Sequence, residues 1–208
     1  MNRTGRCVAG LTVGLQLAYA IVTMAGFAAL PSPEDQIPDP YFTAMEGLIL
    51  LIAPAQVALM AAVYMATPAE RSWFSLVALV FMVMCGTVTS AVHFLILTVS
   101  DALPGNWNSV FAFRWPSVVY ALDILAWDVF FALSVLFAAA VFRAPGLSRW
   151  TGRALVLSGV LSLMGLAGVA TGDMQVRNIG ILGYAVVFPV ATLMMFRLFG
   201  RPLSSRMF

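Results

Sequence analysis

Residues 117–142 read SVVYALDILAWDVFFALSVLFAAAVF. A helix needs about 20 apolar residues to cross the roughly 30 Å hydrocarbon layer of a bilayer, and this stretch is long enough. It also carries two carboxylates, Asp123 and Asp128, and no basic residue. An ionised group at membrane depth is costly unless it finds a partner or water. One segment therefore states both the fold class, a membrane-spanning helix, and a problem that its neighbours must solve.

Working outward, five further apolar stretches lie at 11–30, 42–66, 73–99, 154–171 and 178–196. With 117–142 they make six spans in 208 residues, leaving room only for loops. The expectation is a single all-α domain over 1–208, a polytopic transmembrane bundle of six helices. Composition agrees: 62% of residues are hydrophobic and 10% charged, against about 25% charged in soluble domains. Mean hydropathy is +0.95. Pro31, Pro33, Pro38, Pro40, Pro68, Pro104, Gly105, Pro145 and Gly146 punctuate the span boundaries, as turn chemistry requires. The longest polar interval, 100–116, is itself half apolar, so no separate soluble domain is expected. Helices two and six share a central Pro, but no residue pattern recurs between the two halves. A net charge of +2 is too small to argue for nucleic acid. The partners expected are membrane lipid and a small solute or proton.

Orientation follows from arginine, because basic loops are retained on the cytoplasmic side. All eleven basic residues are Arg. Arg3, Arg6, Arg71, Arg143, Arg149, Arg153, Arg197, Arg201 and Arg206 fall on one face of the six-span topology. The other face has Arg114 and Arg177 beside Glu34, Asp35, Asp39, Asp101 and Asp173. Both termini are expected in the cytoplasm, with the protein multi-pass in the inner (plasma) membrane. Arg3 and Arg6 before an apolar run also fit the start of a secretory signal. The run is longer than a usual signal core and lacks a clean small-x-small site, although Gly26, Ala28 and Ala29 come near. A retained first helix acting as a signal anchor is the expectation.

Several chemistries are excluded. Cys7 and Cys85 sit at different depths, too far apart for a disulfide. Cys7 is placed for palmitoylation or, more plainly, is a small packing residue. The chain has no Lys, so no retinal Schiff base can form. Its single His excludes bis-His haem and multi-His zinc sites within one chain. No cofactor or metal is expected.

The remaining chemistry lies in intramembrane polar groups. Glu46 lies about one turn below the outer face, and His93 and Asp123 each lie roughly 9 Å below it at 1.5 Å per residue. Three ionisable groups from consecutive helices thus share a layer. Tyr120, Asp123 and Trp127 are spaced i, i+3, i+7 and share a helical face. Asp128 is rotated about 140° from Asp123, which excludes a side-by-side pair. It is deeper and expected to reach Gln16 or Tyr19 of helix one, or Gln56 of helix two. The plain alternative is that each group fixes helix register through one hydrogen bond. Taken alone, His93 fits that alternative better; the case for function rests on the shared layer. Pro54 and Pro189 both fall about 18 Å deep and free the carbonyls of Leu50 and Ala185. Transporters often place sites beside interrupted helices, yet Pro is common in membrane helices generally.

Helix five has no charge and a run of small residues: Ser158, Ser162, Gly165, Gly168 and Gly172. Such faces allow close helix packing, inside the bundle or, as a weaker alternative, in a homo-oligomer. Asp173 and Arg177 are spaced for a capping ion pair. The loop before helix four mixes Trp107, Phe111, Phe113, Arg114 and Trp115 with Asn106 and Asn108. It reads as an interfacial segment lying over the outer mouth. Trp73 and Trp150 read as anchors at the opposite interface.

The segments TSAVHFLILTV at 89–99, WPSVVYALDILAWDVFFALSVLFAA at 115–139 and RNIGILGYAVVFPVA at 177–191 resemble an uncharacterised family of bacterial six-helix integral membrane proteins. That family has no assigned activity, so the resemblance implies topology and nothing about chemistry. Three function classes follow from the residues. The first is a small-solute or proton-linked transporter or channel, with Glu46, His93 and Asp123 as an outer vestibule and Asp128 as a deep titrating group. The second is a structural or sensory membrane subunit. The third is an intramembrane enzyme using His93 with the carboxylates; on balance, catalysis is not expected.

Overall fold

The computed structural model describes residues 2–32, 35–99 and 102–201, with only the backbone of Asn2 and Asn108. Glu34, Asp101, Arg206 and Pro33 lie outside the described residues. The chain is an all-α polytopic bundle of six apolar, membrane-length helices. They are α1 (Asn2–Ala28), α2 (Tyr41–Ala66), α3 (Ser72–Thr98), α4 (Val118–Ala139), α5 (Leu147–Thr171) and α6 (Met174–Phe199). A 3₁₀ turn, Ala69–Arg71, leads into α3. Two short helical turns, Gly105–Trp107 and Asn108–Phe111, occupy the α3–α4 loop.

Each helix packs on its neighbours in the chain, and α1 closes the ring against α6. At the closing seam, the Arg6 guanidinium lies 4.9 Å from the Phe196 ring centre. A Cβ on Gly5 would sit 2.8 Å from the Phe199 ring. The N-terminal end of α1 and the C-terminal end of α6 therefore meet at one end of the bundle. At that same end Arg71 donates to the Val141 carbonyl, 3.4 Å away. The described members of the larger arginine set share this end. The other end carries Asp35, Asp39, Arg114 and Asp173.

Large apolar side chains point outward on all six helices, among them Ile21, Met65, Phe94, Leu122, Leu157 and Val186. Lipid tails are as apolar as these side chains, so packing and interhelical hydrogen bonds must hold the bundle. Ser134 donates to Ala78 O at 2.7 Å, tying α4 to α3. Ser158 donates to Gly183 O at 2.9 Å, tying α5 to α6. The core gathers Ala9, Leu59, Met82, Phe131, Leu155 and Phe188, one from each helix.

Two helices change pitch inside the bundle. In α4, residues Leu125–Phe131 form a π-helical segment between two α-helical ones. In α6, the π segment Leu182–Val187 ends just before Pro189. A π segment bonds five residues on, so carbonyls ahead of Pro189 can find donors beyond it. By contrast, α2 stays α-helical through Pro54.

The small-residue face of α5 lies inside the bundle against α6. A Cβ on Gly168 would fall 2.8 Å from the Arg177 nitrogen, and one on Gly183 would fall 2.5 Å from Ser158 O. Gly172 is not part of that contact. Its φ of +73° makes it the left-handed residue that ends α5, a position where a side chain is strained.

Candidate functional site

Four helices bring five ionisable residues into one buried chain. Glu46 enters from the first turns of α2 and His93 from the last turns of α3; they are 2% and 1% exposed. The His93 Nδ1 lies 2.6 Å from Glu46 Oε2. On its other side, His93 Nε2 lies 3.4 Å from Asp123 Oδ1, close in charge terms but not hydrogen-bonded. Asp123 Oδ2 accepts from Arg177 Nη2 at 2.9 Å, and Asp128 Oδ2 accepts from Arg177 Nε at 3.2 Å. Arg177 Nη1 donates to the Tyr120 hydroxyl at 2.9 Å. The order is Glu46, His93, Asp123, Arg177, Asp128, running from α2 through α3 and α4 to α6 and back to α4.

Two expectations are corrected here. Asp128 does not reach Gln16, Tyr19 or Gln56; it is fully buried and bound to Arg177 of α6. Arg177 does not pair with Asp173. Asp173 instead caps α6 by accepting from the Gln175 amide at 2.9 Å, and the guanidinium turns inward. The physical cause is local. The residues of 174–181 are already helical, so Arg177 lies inside the apolar span and not in a surface turn. In α4 the π segment starts at Leu125, two residues beyond Asp123, and includes Asp128. Its five-residue bonding places i and i+5 closer in rotation than an α-helix does. Both carboxylates then reach one guanidinium, whose fork of donors suits such sharing.

Glycine makes room for the deep carboxylate. A Cβ on Gly180 of α6 would fall 2.8 Å from Asp128 Oδ1, and one on Gly165 of α5 would fall 3.1 Å from it. Asp128 Oδ1 itself has no hydrogen-bond partner among the described residues.

A cavity of about 830 Å³ runs beside this chain. Asp35, Asp39 and Arg114 stand at its mouth, and Gln16, Gln56 and Pro189 lie at its floor. Along α2 it extends roughly 20 Å from the helix start to Gln56, at 1.5 Å per residue. Its size falls within the usual range for small-molecule sites. The wall includes Glu46, His93, Asp123, Tyr120, Trp127 and Arg177. Trp127 and Tyr184, one from each π segment, meet at a tilt of 36° with ring centres 5.1 Å apart. Neither amide atom of Gln16 has a hydrogen-bond partner among the described residues.

The α3–α4 loop reaches the site through Phe113. Its ring centre lies 5.6 Å from that of His93 and 5.2 Å from that of Tyr120. Ser117 anchors the loop: its hydroxyl donates to Ala112 O at 2.6 Å and accepts from the Tyr120 amide, capping α4. On the opposite rim, Asp39 Oδ1 accepts from the Thr43 hydroxyl and amide. The Thr43 hydroxyl, and then the amide, hold the Asp39 carboxyl below its usual range.

Each nitrogen of His93 faces a carboxylate, Glu46 within hydrogen-bond reach and Asp123 at 3.4 Å. A neutral imidazole has one N–H to give and an imidazolium has two. His93 can thus share a proton with Glu46, and Asp123 lies beside its other nitrogen. Among the described residues, no group of three or more His, Cys, Asp or Glu is placed to hold a metal ion.

Arg177 and Tyr184 were missed by sequence reasoning. Charge counting could have found Arg177. Three intramembrane carboxylates with one His lack a cation, and Arg177 is the Arg nearest to a span on that side. Comparison with family models, curated proteins and solved structures finds no match, so the geometry alone carries the functional reading.

Proposed function

We propose that the protein binds a small solute inside the bundle and couples it to proton movement through the Glu46–His93–Asp123 chain. The observation that carries this reading is the cavity lined by Glu46, His93, Asp123 and Arg177. Buried charges in membrane helices commonly mark proton or substrate paths. The charge of the chain favours a cation. Three carboxylates face one guanidinium and one imidazole, which leaves net negative charge even with His93 protonated. An added proton or a cationic solute relieves it, and Tyr120, Trp127 and Tyr184 offer ring faces to an organic cation. Tyr120, Gln56 and Trp127 are then solute-contacting residues, Asp128 the deep anchor of Arg177, and the Phe113 loop a lid.

Residues 1–208 act as one domain in this reading. Both termini face the cytoplasm, on the strength of the arginine asymmetry, and the location is a bacterial inner (plasma) membrane. Kinship with the bacterial six-helix family rests on 89–99, 115–139 and 177–191. Reporter fusions after residue 208 and within 101–112 should report opposite sides of the membrane, the first cytoplasmic. A C-terminal reporter active only outside the cell would overturn the orientation.

The functional test uses purified protein in liposomes that enclose a pH-sensitive dye under an imposed membrane potential. Proton entry should exceed that of protein-free liposomes. Asp123→Asn should abolish the excess while retaining the parent's helical content. Native mass spectrometry of the purified chain should find a small bound cation. A specific observation favours a second reading, a structural subunit: each of the five ionisable residues already has a partner. Equal proton entry with and without protein, and no bound molecule, would establish that second reading.

A further inference from the structure

At the arginine-rich end, α4 and α5 part to leave a second concavity of about 850 Å³. Arg143, Arg149 and Arg153 stand around it. All three are exposed, and no ion pair engages them among the described residues. Arg143 is held in place by donating from Nε to Ala140 O at 3.1 Å. Arg153 lies 4.8 Å from the ring centre of Trp150, itself exposed as an interfacial anchor would be.

The walls of this groove change character with depth. The arginines lie at the helix ends. Leu136 of α4 and Val156, Leu157 and Val160 of α5 line the part nearer the bilayer centre. Val160 lies roughly 10 Å beyond Arg153 along the helix axis, at 1.5 Å per residue. These α5 side chains are outward-facing. The floor is close-packed: a Cβ on Gly152 would fall 2.7 Å from Phe142 O, which keeps the two helices together below the groove. The turn that spreads the arginines depends on Gly146, whose φ of +82° disfavours any side chain.

We infer that this groove is a binding site for an anionic phospholipid. The three guanidiniums take its phosphate, and an acyl chain lies along Leu136, Val156 and Val160. The charge is complementary, since basic pockets between helices at a membrane face suit anionic headgroups. The apolar wall continues toward the bilayer centre, where a free phosphate has nothing to match it. This site is separate from the ionic chain, which lies toward the other end of the bundle.

The test is native mass spectrometry of the full chain released from detergent. It is titrated with dioleoylphosphatidylglycerol, dioleoylphosphatidylcholine or inorganic phosphate. The parent should retain phosphatidylglycerol over phosphatidylcholine. Arg149→Gln with Arg153→Gln should weaken retention by about fivefold per arginine removed. The pair Arg3→Gln with Arg197→Gln, at the same end but outside the groove, should leave it unchanged. Val160→Trp, which fills the apolar part without altering charge, should also weaken lipid retention. Equal retention of the two lipids would overturn the proposal, as would equal loss in the control pair. Phosphate binding that matches phosphatidylglycerol and ignores Val160→Trp would show an anion site and no lipid site. Should the arginine pair fail to fold, Val160→Trp decides alone.

Discussion

The two halves of the bundle interior are built on different principles. Toward the termini, the interior is Leu59, Met60, Val63, Met82, Val135, Ala138, Leu155 and Met195, apolar and closed to solvent. Toward the other end, the same helices bury Glu46, His93, Asp123, Asp128 and Arg177 around an 830 Å³ cavity. α4 runs through both. Its first part carries the carboxylates, its π segment makes the transition, and its last turns pack tightly against α3 and α5. In a membrane, apolar side chains gain little by turning inward, because lipid is equally apolar. The apolar half is held by close packing, with the Ser134 hydroxyl on Ala78 O as an interhelical tie. The polar half is held by the large cost of leaving charge unpaired. The two halves are thus held by different forces, and the candidate site lies in the half held by charge pairing.

That difference sets an order of sensitivity. Arg177→Ala should be the most damaging single change, because it strands Asp123 and Asp128 together in the interior. A loss of about 3–5 kcal/mol is expected for breaking a buried pair from one side. Arg177→Lys should recover only part of it, since Lys cannot bridge both carboxylates with a planar fork. Reversible unfolding in mixed micelles measures the loss, and a stable Arg177→Ala protein would show that the network does not hold this half. In the apolar half, Leu59→Ala should fall near the lower end of about 2–5 kcal/mol. There the change forfeits packing without a large transfer term. If it proves costlier than Arg177→Ala, the comparison is inverted. Gly168→Leu should cost about 1–3 kcal/mol by overpacking. It would push α5 away from the helix turn that carries Arg177, with which Gly168 is in contact. Besides a lower melting temperature, it should weaken the site, read as reduced proton entry in the liposome assay. Parent-like stability would place this face against lipid.

The two halves were not equally legible. The apolar half is written in composition: any six such spans bury small and medium apolar residues somewhere. In the polar half, depth along each helix was readable, because 1.5 Å per residue converts sequence position into height. Glu46, His93 and Asp123 therefore fell into one layer before any neighbour was known. Rotation was less readable. The 140° between Asp123 and Asp128 assumes an α-helix, and the π segment at Leu125–Phe131 alters that angle. Arg177 was hidden for a related reason. It precedes the apolar run at 178–196, and Asp173, four residues back, is its obvious partner in the sequence.

The sequence by itself determined how many times the chain crosses, which ends of the spans share a side, and how deep each polar group lies. Those are one-dimensional quantities, set by span length and helical rise. Only the tertiary structure decided which helices are neighbours, with α1 closing on α6. It also decided that Arg177 sits between two carboxylates of α4, and that an empty volume lies beside them. Partner choice in a membrane interior depends on rotation about each helix axis and on local pitch. A residue string records neither where Gly165 and Gly180 let one helix approach another nor where a π turn redirects a side chain.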